Sequence, residues 1–347
     1  MRTRSKFISL TSVAALTLGC LGGPALAVEP AATEPIAILL AASRIAGSPA
    51  GELLEDIEAG SPSNGKARDS DSNAQRDGIS SQPVIVRGMG QKQLALGLPF
   101  SNDGNPAKRL VGEAISFDNR NGTTSVVIPK TDGSTQVATI IEGYSAPTTF
   151  NYRLFLPAGG RAVLSEHGTV LFVDNRDEFL GAVAPAWAVD AQGRAVRTRY
   201  ELHGNFLTQV VDHRTKETKY PVIADPWFGV DMIDRTSWVS TGQYSPTLSV
   251  YPSSWGRAVA LATTYPFSSG LIAVVDQLSL NAAWSETLSK TSRTGNPNPD
   301  TPTMFVQFEC HYFWVSKRSP RKVTWNLDSK RPYGSMAAQA QKNCNVE

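Results

Sequence analysis

Glu309 and His311 are the residue pair in this chain best placed by type and spacing for proton transfer. They stand two apart in a run, residues 305–315, whose other members are almost all apolar, and Cys310 lies between them. Read as a β-strand, the run puts Val306, Phe308, Cys310, Tyr312 and Trp314 on one face and Gln307, Glu309 and His311 on the other, because side chains alternate across a strand. A carboxylate beside an imidazole orients the ring and raises its pKa. Lys322, Asp328 and Arg331 follow in the next hairpin, so an acid-base site would find its residue types here. The competing expectation, and the one favoured, is a hydrogen-bonded network that braces this part of the chain.

The remaining chemical inventory is thin. His167 and His203 sit beside glycines in turns, and His213 ends a polar strand, so all three read as structural. No histidine pair has the close spacing of a zinc site, and no Gly-x-Ser-x-Gly elbow or phosphate-cradling glycine loop is present. No metal and no cofactor is therefore expected. The tryptophans offer a second kind of site. Trp227, Trp238, Trp255, Trp284, Trp314 and Trp325 crowd the last third. Exposed indoles stack on sugar rings or anchor a partner, and Trp314, Trp325 and Arg331 are the binding candidates, although most such rings in a small domain are core.

Compartment is read from the cysteines and the N-terminus. Arg2, Arg4 and Lys6 precede an apolar run, residues 7–21, too short to span a bilayer, and Ala25, Leu26 and Ala27 have the small-residue pattern of a cleavage site. The expectation is a signal peptide over residues 1–27, cut between Ala27 and Val28. Lipidation of Cys20 is the alternative, although Thr17 stands where a lipoprotein signal usually has leucine. The whole chain of 347 residues carries 33 basic and 31 acidic side chains; without the three basic residues of the leader the balance is 30 to 31, a net of −1. Such a balance gives no footprint for nucleic acid, and no later apolar stretch reaches membrane-spanning length. Cys310 and Cys344 then remain as one disulfide pair, closing a loop whose constraint is worth about 3 to 4 kcal/mol.

The elements that would position these residues follow in order. Residues 28–84 are expected as a short helix, starting near Ile36 and broken by Gly47, Ser48 and Pro49, and then a disordered linker, because residues 60–81 are almost devoid of apolar side chains. Residues 85–226 read as an antiparallel β-sandwich or partly open barrel of roughly eight to ten strands. Turn signals at Asn121-Gly122, Asp132-Gly133 and His167-Gly168 separate the expected hairpins, residues 123–128 with 135–141 and 162–164 with 169–173. Val196, Thr198, Tyr200 and Leu202 alternate with Arg197, Arg199 and Glu201 as in a half-buried strand. Pro221 and Pro226 suit an edge strand leaving its sheet. Residues 227–347 read as a small disulfide-stapled α+β domain: a strand at 246–251, a helix capped by Ser253 or Ser254, a second helix at 270–289, the strand at 305–315 and another at 323–327. The fold class expected is thus mainly β.

In that last third, the combination of Trp238, Arg257, Trp284 with Glu286, Gln307 through His311, Lys322, Trp325-Asn326-Leu327, Arg331-Pro332 and Cys344-Asn345 resembles a C-terminal domain of unknown function shared by secreted actinobacterial proteins. It departs from that pattern at Asp328-Ser329-Lys330 and in the residues after Asn345. The resemblance implies no activity. A weaker one, carried by residues 186–190 and 220–227, also points to secreted actinobacterial proteins.

Together these features favour a secreted or cell-surface protein that binds or scaffolds at the envelope, its partner an envelope polymer or another secreted protein. The alternative is an exported hydrolase or toxin-like effector using Glu309 and His311. The surroundings of His311 discriminate: a concave pocket shared with Glu309 and a base would favour catalysis, and burial under neighbouring side chains would favour binding.

Overall fold

The computed structural model describes residues 35–44, 83–88, 93–101, 106–110, 113–240, 242–264 and 274–346. Cys20, Ala27, Val28, the expected linker and the continuation of the first helix beyond Arg44 lie outside these residues. Eighteen strands are described, and every pairing among them is antiparallel. Strands β1 (Val84–Arg87), β2 (Gln93–Gly97), β7 (Thr149–Phe155), β13 (Phe206–Val211) and β12 (Thr198–His203) lie side by side in that order as a five-stranded sheet.

A ten-stranded sheet faces it. Its path runs β3 (Ala107–Arg109), β4 (Ile115–Asp118), β5 (Thr123–Pro129), β6 (Thr135–Ile141), β15 (Trp227–Gly229), β10 (Phe179–Val183), β9 (Val170–Val173) and β8 (Arg161–Leu164). Off that path, β14 (Val222–Ala224) joins β6 to β11 (Ala188–Val189). The expected hairpins are present as β5 with β6 and β8 with β9.

Alternation decides the layers. Val137 and Ile141 of β6 share a core with Val86, Leu96, Tyr152, Leu154, Tyr200 and Leu207 between the sheets. Ala138 and Ile140, one residue out of phase, pack outward with Val126, Ile128 and Ile223 against Leu39 of the helix α1 (Pro35–Ser43). With both faces covered, β6 is buried along its whole length. Gly122 and Gly133 adopt φ of +77° and +84°, the left-handed conformation that the tight turns at these two hairpin corners require.

The residues around Pro226 depart from the expected edge strand. β14 pairs with both β11 and β6, and β15 pairs with both β6 and β10, so this segment lies inside the sheet. Pro226 is tolerated because it falls in the gap between the two strands, where its carbonyl accepts from Val137 N at 2.8 Å and no N–H is called for. Asp225 beside it is fully buried. One of its carboxylate oxygens accepts from Trp187 N at 3.0 Å, and its own N–H donates to Trp187 O at 3.3 Å. That reciprocal clasp gives a physical reason for residues 186–190 and 220–227 to occur together. Burial holds the Asp225 carboxyl well above the usual carboxylate range.

The C-terminal third adds a three-stranded sheet, β16 (Ile233–Val239), β17 (Thr247–Pro252) and β18 (Trp325–Asp328), and four helices. Helix α2 (Ser254–Leu261) begins as expected at Ser253, whose hydroxyl accepts from Gly256 N at 2.8 Å. Helix α3 (Val274–Lys290) and helix α5 (Met336–Gln341) flank helix α4 (Pro302–Cys310), which runs on through a π-helical turn, His311–Val315, to Arg318. The strand expected over residues 305–315 is therefore corrected to a helix. Thr301 and Pro302 dictate it: the Thr301 hydroxyl accepts from Met304 N at 3.2 Å and Pro302 takes the first helical position, where a missing N–H has no consequence.

One core joins the large sheet to this third, with Leu171, Ala182 and Trp227 packed in the same cluster as Trp255, Trp284 and Phe308. Gly256 sits where the helix meets the strand, and a Cβ built there would lie 2.0 Å from the carbonyl oxygen of Met232. Replacing Gly256 with alanine should destabilise the chain by about 1 to 3 kcal/mol or more through overpacking. Gly143→Ala, with nothing within 4 Å of its added carbon, should change stability by less than about 0.5 kcal/mol. Urea midpoints for the two variants that coincide with the parent would refute the seam described here.

Candidate functional site

The candidate residues gather around the end of α4. Cys310 and Cys344 form a disulfide with Cα atoms 5.7 Å apart, and both are buried. This ties the middle of a buried helix to the chain segment that follows α5. Asn343 beside it accepts from an Arg318 guanidinium nitrogen at 2.8 Å. The staple thus closes onto the aromatic centre of the domain, where Trp325 meets Phe308 at 5.6 Å and Tyr312 at 6.0 Å, each edge to face.

His311 is buried at 4 % exposure. Its Nδ1 donates to the Gln307 carbonyl, one helical turn back, at 2.8 Å. Burial holds the imidazole at about 4, and the positive charges of Lys322 and Arg331 add to that while Asp328 opposes it. The ring is therefore neutral at physiological pH. Gln307 extends the network: its Oε1 accepts from Asp328 N at 2.9 Å and its Nε2 donates to Asp328 O at 3.1 Å, so a side-chain amide pairs with the end of β18 as another strand would. The Asp328 carboxylate accepts from the Thr247 hydroxyl at 2.6 Å and from two Arg331 nitrogens at 2.9 and 2.5 Å. Arg331 also donates to Val346 O at 3.0 Å and lies over the Tyr244 ring.

The premise that paired Glu309 with His311 was a shared strand face, and the helix removes it. At about 100° per residue, positions two apart point to nearly opposite sides. Glu309 is half-buried with its carboxyl raised by desolvation, and no hydrogen bond ties it to His311. Lys322 is exposed yet partly desolvated, which lowers its ammonium. Of the binding candidates, Trp325 is core, Arg331 is committed to Asp328 and the chain end, and Trp314 is half-buried with Arg318 over its ring. Trp227, Trp255 and Trp284 are also buried, which takes them out of any aromatic platform. Among the described residues no group of three His, Cys, Asp or Glu side chains is arranged to hold a metal ion.

The buried charges of the C-terminal third were not read as a site from the sequence, although Glu286 stands among the residues of the family resemblance. Glu286 of α3 accepts from Met232 N at 2.8 Å and Ile233 N at 3.0 Å, and Lys290 one turn on reaches Ile233 O, Asp231 at 3.8 Å and Glu286 at 3.9 Å. All three are nearly buried. The signal was a glutamate one helical turn before a lysine on the buried side of α3, beside Ala283 and Thr287.

This C-terminal architecture has known counterparts of unassigned role. Residues 233–347 match a family described as a protein of unknown function, DUF2599. Over 114 residues the chain is 32 % identical to Uncharacterized protein Rv0477 of Mycobacterium tuberculosis and, to the same extent, to Uncharacterized protein Mb0487 of Mycobacterium bovis. Each match takes in 33 % of this chain and 65 % of the relative, so the chain spans about two thirds of the length of the relatives it matches. No solved structure matches.

Two predictions follow from the staple and the histidine. Replacing Cys310 and Cys344 together with serine should lower stability to urea by about 3 to 4 kcal/mol under oxidising conditions; an unchanged midpoint would contradict the bond. For His311, the unfolded imidazole takes up a proton near its ordinary 6.5 while the folded one resists until about 4. Stability from this group is therefore complete above pH 6.5 and is lost as pH falls towards 4, by up to about 3 kcal/mol. His311→Asn keeps a donor near the Nδ1 position and removes the titration. Its stability curve between pH 7 and pH 4 should be flatter than the parent's by that amount, and parallel curves would remove the argument.

Proposed function

We propose that this chain is an exported protein, at the cell surface or free outside the cell, that binds or scaffolds at the envelope without catalysing a reaction. The observation that carries this reading is the state of His311: it is turned into the protein, neutral, bonded to its own helix and locked beside the buried Cys310–Cys344 bond. A disulfide in the core fits an oxidising compartment. No helix among the described residues is long and apolar enough to cross a membrane. The relatives' mycobacterial origin agrees with the actinobacterial resemblance. An exported hydrolase or toxin-like effector would need Glu309 and His311 to meet on one accessible surface, and the helix separates them.

The test is expression of the full chain in an actinobacterial host, followed by fractionation. Chain recovered from the cell wall or medium should begin at Val28 and show no reactive thiol at Cys310 or Cys344. It should also sediment with purified cell wall, and His311→Ala that remains folded should sediment equally. Cytoplasmic recovery with the leader attached and both thiols free would overturn the export reading. Hydrolysis of wall polymer that disappears in folded His311→Ala would establish the catalytic one.

A further inference from the structure

The outward face of the five-stranded sheet carries a set of side chains that the fold does not use. In register across the strands, one row runs Gly97, Arg153, Phe206 and His203. The next runs Ile85, Ala95 and Phe155, and the third Arg87 and Gln93. Directly opposed residues point the same way, so these groups share one surface. Phe155 and Phe206 leave 44 % and 43 % of their area exposed, unusual for phenylalanine on a sheet whose inner face already supplies the core. The Arg153 guanidinium lies over the Phe155 ring at 5.1 Å. Gly97 leaves a dent beside them, since a Cβ there would lie 3.3 Å from Arg153 Cβ and 3.8 Å from the Phe155 ring.

Beside Phe155 opens a cavity of about 460 Å³, bordered by Gln93, Ala95, Arg153, Phe155 and Asn205 and reaching Leu180 of the ten-stranded sheet. That is the size of a site for a small ligand or a few units of a polymer. Charge narrows the chemistry. Glu201 on the same sheet is held by Arg199 at 2.8 Å and His203 at 3.4 Å. Among the described residues no carboxylate pairs with Arg153 or Arg87. The two arginines lie two rows apart, roughly 14 Å along the strands, with the exposed Phe155 between them.

We propose that this face binds an acidic polysaccharide, with sugar rings stacked on Phe155 and Phe206, carboxylates drawn to Arg153 and Arg87, and hydroxyls met by Gln93 and Asn205. The inference rests on the envelope-binding reading and names its ligand class. Aromatic faces meet the apolar C–H face of a pyranose, and an arginine fork meets a carboxylate through two N–H donors. A guanidinium already stacked on a ring is held in place, so little side-chain freedom is lost when the ligand arrives.

Titration of the purified chain with polygalacturonate, its methyl ester and polyglutamate tests this. Polygalacturonate should bind at least about ten-fold more tightly than either control, and Phe155→Ala and Arg153→Gln should each weaken it about ten-fold, with unchanged melting temperatures. Equal binding of polyglutamate would reduce the face to a charge patch and overturn the proposal, as would no binding of polygalacturonate or variants that match the parent. The wall-sedimentation assay separates the two readings. If Phe155→Ala and Arg153→Gln still sediment with cell wall, this face is excluded and envelope binding stands; if the parent chain never reaches the wall, the envelope reading falls whatever polygalacturonate does.

Discussion

The contact between Trp255 and Gly229 sets how the two halves of the molecule meet. A Cβ at Gly229 would lie 2.2 Å from the indole, so only glycine lets the ring lie against the last strand of the large sheet. Once there, the indole donates to Trp227 O at 3.2 Å, and the Trp255 backbone donates to Asp132 at 3.2 Å in the β5–β6 turn. Trp227 is fixed in turn by the Ser134 hydroxyl at 2.8 Å from the same turn. Ser253 adds a link by donating to Asp231 O at 2.9 Å while it caps α2. One short stretch, residues 227–256, therefore carries sheet, cap and helix in a fixed relation.

That relation explains the charges buried behind it. The two N–H groups following Asp231 leave the sheet without strand partners, and an unpaired buried N–H costs about 1 to 3 kcal/mol. Glu286 accepts both, and Lys290 neutralises the carboxylate it brings in. Removing either partner would leave an uncompensated charge in the core, which is the costly outcome, whereas the complete set is close to neutral in stability. The same logic holds at the disulfide. Gln307 satisfies the backbone at the end of β18, His311 bonds the carbonyl of Gln307 in its own helix, and Arg331 ties the Asp328 carboxylate to the backbone at Val346, so their chemistry is spent on holding these segments together.

Where local signals and burial agreed, the sequence was legible. Asn121-Gly122 and Asp132-Gly133 announced their hairpins, Ser253 announced α2, and the cysteine count announced the staple. Residues 305–315 misled because apolar residues recur at every second position while most of the intervening ones are also buried: Val306, Gln307, Phe308, Cys310, His311, Tyr312 and Phe313 all face protein. A segment buried around most of its circumference loses its periodicity, and only the Thr301-Pro302 start could have arbitrated. Pro226 misled for a related reason: proline rules describe a strand interior, and this proline sits between two strands. The Phe155 face was invisible beforehand, since nothing local distinguishes an outward phenylalanine from an inward one until the register is known.

The two candidate surfaces differ in what their charges are for. Around α4 each polar side chain that the sequence singled out lies on a backbone group or on an opposite charge, except Glu309 and Lys322, each of which is partly desolvated. A network closed in this way resists rearrangement, which suits a brace and leaves little to offer a substrate. On the five-stranded sheet the opposite holds. Its inner face packs into the core, with the Tyr152 hydroxyl reaching Thr139 across the sandwich at 3.3 Å and Leu154 and Leu207 buried beside it. The outer face of the same strands is thus held rigid by packing it does not share. Rigid strands that display rings, and guanidiniums with no carboxylate partner among the described residues, are already in the geometry a ligand would need, so binding there would order little that the core has not ordered already.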